Sequence, residues 1–311
     1  MIISREFENK YFDKKSVVTV GTFDGVHLGH RKIIEDVIKI KSQKKLRSVI
    51  VTFDPHPQLV LKNKHKEIKL LSTTEEKLEI FNDFGVDAIY LINFNEEFSK
   101  TSADNFYKDY LVDKVGLSDI VIGYDHTFGR NREGNSETLK LLSEKFGFEV
   151  HRTEEFRLNG EQVKSTEIRN LLFNGNVGKA KTLLGDFYSI SGQVISGDKR
   201  GSTIGFPTAN IEINDEHKLL PGNGVYFVSV KITGSEFFGM MNIGKRPTIS
   251  ASEEIYLEVN IFDFNKDIYG EKIKVKFIEF LREEKKFGSL DELIKQLEID
   301  KKNCINKLIN K

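Results

Sequence analysis

The chain has 311 residues, more than one compact domain usually holds, so two hydrophobic cores are expected. Its composition, 39% hydrophobic and 30% charged with 24 phenylalanines, is typical of a globular protein and excludes a disordered or fibrous one. The 47 basic and 47 acidic residues cancel, so no overall charge favours nucleic acid or a membrane surface, and small-molecule ligands are expected.

Cys304 is the only cysteine, which excludes an internal disulfide and a multi-cysteine metal cluster and suits a reducing compartment. The segment Met1 to Lys15 has no apolar core, and no later segment reaches the roughly 20 apolar residues that span a bilayer. We therefore expect a cytoplasmic protein that is neither secreted nor membrane-embedded. The sequence indicates no obligatory protein partner.

From Ser16 to about Leu184, short β-branched runs alternate with longer amphipathic ones, a pattern typical of a parallel sheet covered by helices. We predict helices over Arg31–Ile40 and Thr74–Phe84, because their apolar residues share one helical face. The predicted strands are Val17–Val20, Val49–Phe53, Ala88–Ile92 and Ile120–Gly123. Residues 1–184 are therefore predicted to form a doubly wound α/β domain.

After Gly185 the strand candidates lie closer together, and several alternate with period two between Gly, Asn or Asp turns. These strands are Ile190–Ile195, Thr208–Ile213, Val225–Ile232, Phe237–Ile243, Ile255–Phe262 and Lys272–Phe280. Helical spacing returns from Ser289 to Ile309, with Ser289 as N-cap. Residues 185–311 are predicted to form a small antiparallel β-barrel domain against which this C-terminal helix packs.

The run from Gly21 to Arg31 follows a predicted strand directly and enters a predicted helix. A helix N-terminus offers free backbone N–H groups, and glycines let the backbone approach an anion, so this run is predicted to bind phosphate. His27 and His30 are three residues apart, so both imidazoles can face one polyphosphate, and nucleotidyl transfer is the implied chemistry. The alternative is that the two histidines merely cap the helix. The predicted phosphate-binding residues here are Gly21, Phe23, Asp24 and Gly29.

Gly21 to His30 resembles the HxGH motif of the nucleotidyltransferase superfamily, in the form typical of bacterial FAD synthetases. The runs Gly123–Gly129 and Val163–Arg169 resemble two further motifs of that family. The resemblance implies FMN adenylyltransferase activity with catalytic His27, His30 and Arg169, phosphate-binding Ser165 and Thr166, and flavin-binding Asp125 and Phe128. The sequence departs from the family's usual residues at Arg31, His126, Thr127 and Lys164.

The run from Gly192 to Asn210 is rich in glycine and carries two cations around one turn. Such a loop can expose backbone N–H groups to phosphate, and Thr208 and Asn210, on one face of a strand, offer oxygen ligands for Mg²⁺. ATP with Mg²⁺ is the predicted occupant, and a hairpin with a basic tip is the alternative. The predicted ATP-binding residues are Gly197, Lys199, Arg200, Gly201 and Gly205.

Gly205 to Asn210 resembles the Gly-Phe-Pro-Thr-Ala-Asn signature of riboflavin kinase, and later runs resemble the same family in order. The tail Leu281–Phe287 resembles its flap, so the resemblance extends from about residue 16 to the C-terminus. It implies that Glu258 is the general base for the attacking ribityl hydroxyl and that Arg282 binds flavin. A solvent-facing strand glutamate is the alternative. Asn260 and Ser202 stand where the family usually has His and Arg.

Together these motifs predict a bifunctional enzyme that phosphorylates riboflavin to FMN with ATP and then adenylylates FMN to FAD, releasing pyrophosphate. Flavins are then substrates and products, and Mg²⁺ with ATP is the predicted cofactor. One rival is a nucleotidyltransferase with another acceptor, such as pantetheine phosphate or nicotinate mononucleotide. A second is a flavin-binding regulator without activity. The run Thr52–Pro57 also resembles a family loop, and His56 is there either a turn residue or a ligand contact.

Overall fold

The computed structural model describes residues 1–6, 15–61, 68–124, 135–197, 200–247 and 253–309. Contacts divide the chain into two compact units, Met1–Ser165 and Thr166–Lys311. The sequence predicted a boundary between 184 and 185, so the two divisions differ by the segment 166–184. The limits of the functional domains remain a prediction.

The first unit contains a six-stranded parallel sheet of order β1-β4-β3-β2-β5-β6. Val17 and Ile50 pack on one of its faces and Val18 and Val49 on the other, because successive side chains of a strand point to opposite faces. Both faces are buried, which confirms the doubly wound α/β fold. The strands are β1 (Ile2–Ser4), β2 (Ser16–Val20), β3 (Arg47–Asp54), β4 (Ala88–Asn93), β5 (Leu117–Ile122) and β6 (Glu149–Arg152).

Two predicted helices of this unit are present and begin with side-chain caps. The imidazole of His27 caps the helix predicted from Arg31, and Thr73 with Glu76 forms a capping box on the helix predicted from Thr74. The helices are α1 (Leu28–Lys44), α2 (Pro57–Val60), α3 (Thr74–Asp83), α4 (Ala103–Asn105) and α5 (Ser136–Phe146). A π-helix, Phe106–Val115, follows α4, and a short hairpin of β7 (Arg157–Leu158) and β8 (Glu161–Gln162) precedes the second unit.

The second unit contains a closed barrel of order β10-β13-β12-β11-β14-β9, with β9 pairing β10 as well. All its pairings are antiparallel, which confirms the predicted barrel. Its strands are β9 (Ser189–Ile195), β10 (Ala209–Glu212), β11 (Gly224–Ile232), β12 (Ser235–Pro247), β13 (Glu253–Ile261) and β14 (Lys272–Arg282). Its helices are α6 (Ser165–Phe173), α7 (Val177–Leu184), α8 (Arg200–Thr203) and α9 (Leu290–Ile309).

The C-terminal helix α9 packs against the barrel, as predicted. Cys304 is fully buried in a cluster with Phe227 and Met240. At the other end of the helix, the backbone N–H of Glu292 donates to Oγ of Ser289 at 3.3 Å, which confirms the predicted N-cap. The helix thereby covers one side of the barrel with apolar residues.

Candidate active sites

The loop between β2 and α1 turns sharply through residues with positive φ, and one buried carboxylate anchors it. Phe23 and Gly25 have positive φ angles of 49° and 78°, so the chain turns sharply before α1. Oδ1 of Asp24, which is 3% exposed, accepts hydrogen bonds from the backbone N–H groups of Leu71 and Ser72 at 2.9 and 3.2 Å. Asp24 thus anchors the loop, and its direct contact with ATP remains a prediction.

The two histidines of this loop form a stacked pair at the start of α1. Their ring centroids are 3.7 Å apart with 16° between the planes, and the ring of Phe23 meets that of His30 edge-on at 5.4 Å. Nδ1 of His27 accepts from the backbone N–H of His30 at 3.4 Å. A Cβ at Gly29 would lie 3.3 Å from the His27 ring, so glycine gives this ring its space. The three-residue spacing therefore brings both imidazoles together.

Burial controls the protonation of His30. Desolvation first, then the charges of His27 and Lys77, hold the pKa of His30 well below its ordinary value of 6.5. Nδ1 of His30 is buried and has no hydrogen-bond partner in the described part of the chain. At neutral pH His30 is therefore an uncharged ring with an unused polar atom, which suits a hydrogen bond to a substrate oxygen.

Ser165, the last residue of the first unit, is bonded to the same loop. Oγ of Ser165 donates to the backbone carbonyl of Asp24 at 3.2 Å. Ser165 is therefore placed beside the phosphate-binding loop that its motif predicted. Thr166 and Arg169 belong to the second unit, and their roles in adenylyl transfer remain predictions.

In the barrel, strand register places three polar residues in one row. Glu258 on β13 lies directly opposite Asn210 on β10 and opposite Asn242 on β12. Directly opposed residues in antiparallel strands project to the same face of the sheet. The predicted general base and a predicted metal ligand therefore share one face of the barrel.

Two glycines let the Gly-rich loop approach this row. A Cβ at Gly197 would come within 1.9 Å of the side-chain amide of Asn210, and one at Gly201 within 2.2 Å of the carbonyl of Phe206 and 3.3 Å of Oγ1 of Thr208. No other residue fits either position without displacing its neighbour. The glycines predicted to bind phosphate therefore also fix Thr208 and Asn210.

A cavity of about 470 Å³ opens beside these residues, a volume in the range of small-molecule sites. Its wall includes the metal-ligand candidates and a segment between β13 and β14 that the sequence did not single out. Prominent lining residues are Gly197, Thr208, Asn210, Phe264, Lys266 and Tyr269. The cavity joins a Gly-rich loop, hard oxygen ligands and an aromatic ring.

A second polar cluster lies on the same barrel face, near the flap. The hydroxyl of Tyr256 donates to Oε1 of Glu284 at 2.9 Å, and Nδ2 of Asn242 donates to the Tyr256 oxygen at 3.1 Å. Burial, reinforced by the Glu284 carboxylate, raises the pKa of Tyr256 to about 12, so the phenol stays protonated. Glu284 belongs to the predicted flap, which this hydrogen bond attaches to the strand that carries Glu258.

Comparison with known proteins agrees with the predicted division of the chain into two functional parts. The FAD synthetase family model matches residues 9–167, and the riboflavin kinase family model matches residues 184–308. Bifunctional riboflavin kinase/FMN adenylyltransferases from Listeria monocytogenes and Bacillus subtilis are 39% and 38% identical to the chain, each over 95% of it and 93% of the relative. The Escherichia coli K12 protein of the same name is 36% identical over 91% of the chain and 90% of its own.

The chain belongs to the bifunctional riboflavin kinase/FMN adenylyltransferase family. It phosphorylates riboflavin to FMN and adenylylates FMN to FAD, so flavins are its substrates and products. The kinase match over the second half sets aside the rival with a different acceptor. The high identity to bifunctional enzymes over 91–95% of the chain speaks against an inactive regulator.

A solved structure described as a macrolide-efflux protein from Streptococcus pneumoniae matches the whole fold of this flavin-synthesising enzyme. Its TM-score is 0.89 at 34% identity, covering 98% of this chain and 99% of the other. The efflux description concerns the pneumococcal protein. Among the described residues of the present chain, no helix has the length and apolar character needed to cross a bilayer.

Some predicted residues of this enzyme are engaged elsewhere in the structure. The guanidinium of Arg282 pairs with Asp300 on α9, with Nε–Oδ2 and Nη2–Oδ2 distances of 2.9 and 2.8 Å. Nδ2 of Asn260 donates to the carbonyl of Pro207 at 2.7 Å and so holds the Gly-Phe-Pro-Thr turn. In this structure the Arg282 side chain therefore links β14 to α9. Flavin binding by Arg282 remains a prediction.

Other predicted residues lie outside what the structure describes. These are Asp125, Phe128 and Lys199, together with the side chain of Arg200. Gly205 is described, and its φ of 80° is a conformation that favours glycine. His56 caps α2 by accepting from the backbone N–H of Gln58 at 3.2 Å, which supports the turn interpretation.

Sequence reasoning assigned no role to three groups that lie beside the candidate sites. They are Lys77 beside the histidine pair, the Tyr256–Asn242–Glu284 cluster, and the segment 264–269 that lines the cavity. Tyr256 could have been found from the sequence, because it stands two residues before Glu258 and therefore lies on the same face of the strand. The other two depend on distant parts of the chain that only the fold brings together.

Proposed function

We propose that adenylylation and phosphorylation use separate catalytic groups, the first on the loop 21–30 and the second on strands β10 and β13. In the adenylyl transfer, an FMN phosphate oxygen attacks the α-phosphorus of ATP, and the bond to the bridging oxygen breaks as pyrophosphate leaves. His27 and His30 donate hydrogen bonds to the phosphate oxygens, where charge builds up. Two observations support this role: the ring of His30 stacks on that of His27, and its lowered pKa keeps it uncharged at neutral pH.

In the kinase reaction, we assign Glu258 as the general base. Its carboxylate accepts the proton of the ribityl hydroxyl while that oxygen attacks the γ-phosphorus and ADP leaves. The observation that carries this proposal is the register that sets Glu258 opposite Asn210, with Thr208 and Asn210 lining the adjacent cavity. From β13, Val259 and Ile261 line the cavity, and Glu258 adjoins it through its register partner Asn210. ATP held at Asn210 would thus be one strand away from the base.

The donor set at this position fits Mg²⁺, since a threonine hydroxyl and an asparagine amide offer hard oxygen ligands. Thr208 and Asn210 would hold the ion, and the tight packing of Gly201 against Thr208 and of Gly197 against Asn210 supports a preorganised pair. When bound, Mg²⁺ neutralises charge on the ATP phosphates. Segment 264–269 offers Phe264 and Tyr269 for an adenine ring and Lys266 for a phosphate.

The experiment that tests the overall proposal incubates the pure protein with riboflavin, ATP and Mg²⁺ and separates FMN from FAD over time. FMN should appear before FAD, and Thr208→Val with Asn210→Leu should remove the FMN step alone. A double variant that still makes FMN at the normal rate, with unchanged dependence on Mg²⁺ concentration, would rule out this ligand pair. We also propose a cytoplasmic location and small-molecule partners only, in keeping with the single, buried Cys304.

A further inference from the structure

Lys77, which the motifs do not include, is a buried cation beside the adenylylation loop. It lies in the first turn and a half of α3, and it is only 4% exposed. Its Nζ donates to the backbone carbonyl of Thr22 at 3.2 Å, within the Gly21–Phe23 turn. Lysine is rarely buried unless it is paired, because desolvating an ammonium is costly.

No carboxylate forms an ion pair with Lys77 in the part of the chain that the structure describes. Asp24 and Asp54 act on it electrostatically, but their carboxylates bond to other groups. Oδ1 of Asp24 accepts from two backbone N–H groups, and Asp54 accepts from Thr74 and from Arg5. Burial accordingly lowers the pKa of Lys77. The ammonium has three N–H donors and one described acceptor.

A second unsatisfied group faces the same region. Nδ1 of His30 is buried without a hydrogen-bond partner among the described residues, and Lys77 is close enough for its charge to lower the pKa of that histidine. Among the residues that the structure describes, a buried ammonium without an ion pair and a buried imidazole nitrogen without a hydrogen-bond partner thus lie next to one turn. An anion entering this turn would satisfy both groups.

We propose that Lys77 is a further phosphate-binding residue of the adenylyl transfer, donating from Nζ to a phosphate oxygen of the bound substrate beside His30. The lysine forms no covalent bond and transfers no proton in this step. Its charge offsets the negative charge that accumulates as the bond between the α-phosphorus and pyrophosphate breaks. The phosphate can belong to ATP or to FMN, since both carry the same chemistry.

The test uses the full-length enzyme with Lys77→Met, which keeps the length and removes the charge, and Lys77→Arg, which keeps the charge. Lys39→Met, an exposed lysine on α1, is the control for a lost cation. Adenylylation is measured with ATP varied at fixed FMN, with FMN varied at fixed ATP, and in reverse with FAD and varied pyrophosphate. Riboflavin phosphorylation by the same samples shows that the second site is intact.

We expect kcat/KM for adenylylation to fall about 10- to 100-fold in Lys77→Met, the usual effect of losing a hydrogen bond to a charged group. Lys77→Arg should recover part of it, while phosphorylation and Lys39→Met stay normal. A rise in KM for ATP and pyrophosphate assigns the contact to ATP, and a rise for FMN alone assigns it to FMN.

Thermal unfolding separates substrate binding from a structural role. Removing a buried cation that has no ion pair should leave Tm unchanged or raise it, because the desolvation cost disappears. Normal adenylylation kinetics in a folded Lys77→Met enzyme would overturn the proposal. A lowered Tm, with kcat and all three KM values unchanged once the rates are divided by the folded fraction, would overturn it as well, since it would show that Lys77 only holds the Thr22 turn.

Discussion

Asn210 and Glu258 stand directly opposite each other in the antiparallel pairing of β10 with β13. One residue is the proposed metal ligand and the other the proposed base, so on this proposal the barrel's register sets the distance between them. A shift of one residue in this register would put the two side chains on opposite faces of the sheet. The barrel is closed, and every strand is therefore held on both edges, which protects this register.

The base assignment predicts the effect of Glu258→Gln, which keeps the shape of the side chain and removes its basicity. FMN formation should fall about 10²- to 10⁴-fold in kcat, with little change in KM, because general-base catalysis contributes on that order. FMN fed separately should still be converted to FAD. Glu212→Gln, on the neighbouring strand and exposed, is the matched control. Near-normal riboflavin conversion by Glu258→Gln would show that the residue is only structural.

The histidine pair predicts the opposite selectivity. His27→Ala combined with His30→Ala should abolish adenylylation of supplied FMN and leave riboflavin phosphorylation nearly unchanged. The reason is that both rings lie on the loop of the first unit, and every group proposed for the kinase lies in the second. His217→Ala serves as control. An equal loss of both activities in a folded double variant would contradict separate sites.

Gly197 links loop packing to catalysis. In Gly197→Ala the new Cβ would collide with the Asn210 amide, so the amide must move and the kinase rate should fall by at least about tenfold, which is roughly 1.4 kcal/mol in activation free energy. Adenylylation should be normal. Gly178→Ala, where no atom lies within 4 Å of the new Cβ, should instead leave both rates unchanged and stabilise α7 by about 0.5–1 kcal/mol. A normal kinase rate in Gly197→Ala would show that Asn210 can be displaced without cost.

Much of this arrangement could be predicted from the sequence, and the limits have physical causes. The strands through Val49 and Val225 were recognisable because β-branched runs and period-two alternation report burial directly. β1, with three residues, is too short to give a pattern. In the π-helix, the buried residues Tyr107, Leu111 and Val115 are spaced by four, as in an α-helix, so the sequence pattern does not distinguish the two. Motifs identified the groups proposed to touch phosphate. Lys77 was missed because its burial depends on Thr22, 55 residues earlier in the chain.

The pKa of His30 predicts how the stability of the first unit depends on pH. In the folded chain this pKa lies well below the ordinary value of 6.5, which the unfolded chain retains. Below about pH 6.5 the unfolded state therefore binds a proton that the folded state does not, and stability falls as the pH falls towards the folded pKa. Urea unfolding of His30→Gln should show a smaller loss between about pH 7.5 and about pH 5 than the unmodified chain. An equal loss would place the acid sensitivity at other groups.

The packing of segment 166–184 against the barrel predicts which C-terminal fragment will be stable. A fragment of residues 186–311 contains every group proposed for the kinase and should convert riboflavin to FMN. It lacks α6 and α7, although the backbone N–H of Gly222 donates to the carbonyl of Leu172 at 2.9 Å, and α7 contacts β14. Val177 and Leu184 of α7 are buried, so their loss should cost about 3 to 6 kcal/mol as an upper estimate.

A fragment of residues 166–311 should therefore unfold at a clearly higher urea concentration than 186–311, with the same kinase activity per folded molecule. The comparison separates two properties that a single truncation would mix, because the longer fragment restores packing and adds none of the groups proposed to touch riboflavin or its ATP. Circular dichroism gives the folded fraction, and the rate of FMN formation is divided by it. If 166–311 is folded and inactive, phosphorylation needs the first unit, and the kinase site as assigned here is incomplete. If the two fragments are equally stable, α6 and α7 do not belong to the barrel's cooperative unit, and the boundary at 184 and 185 is the better one.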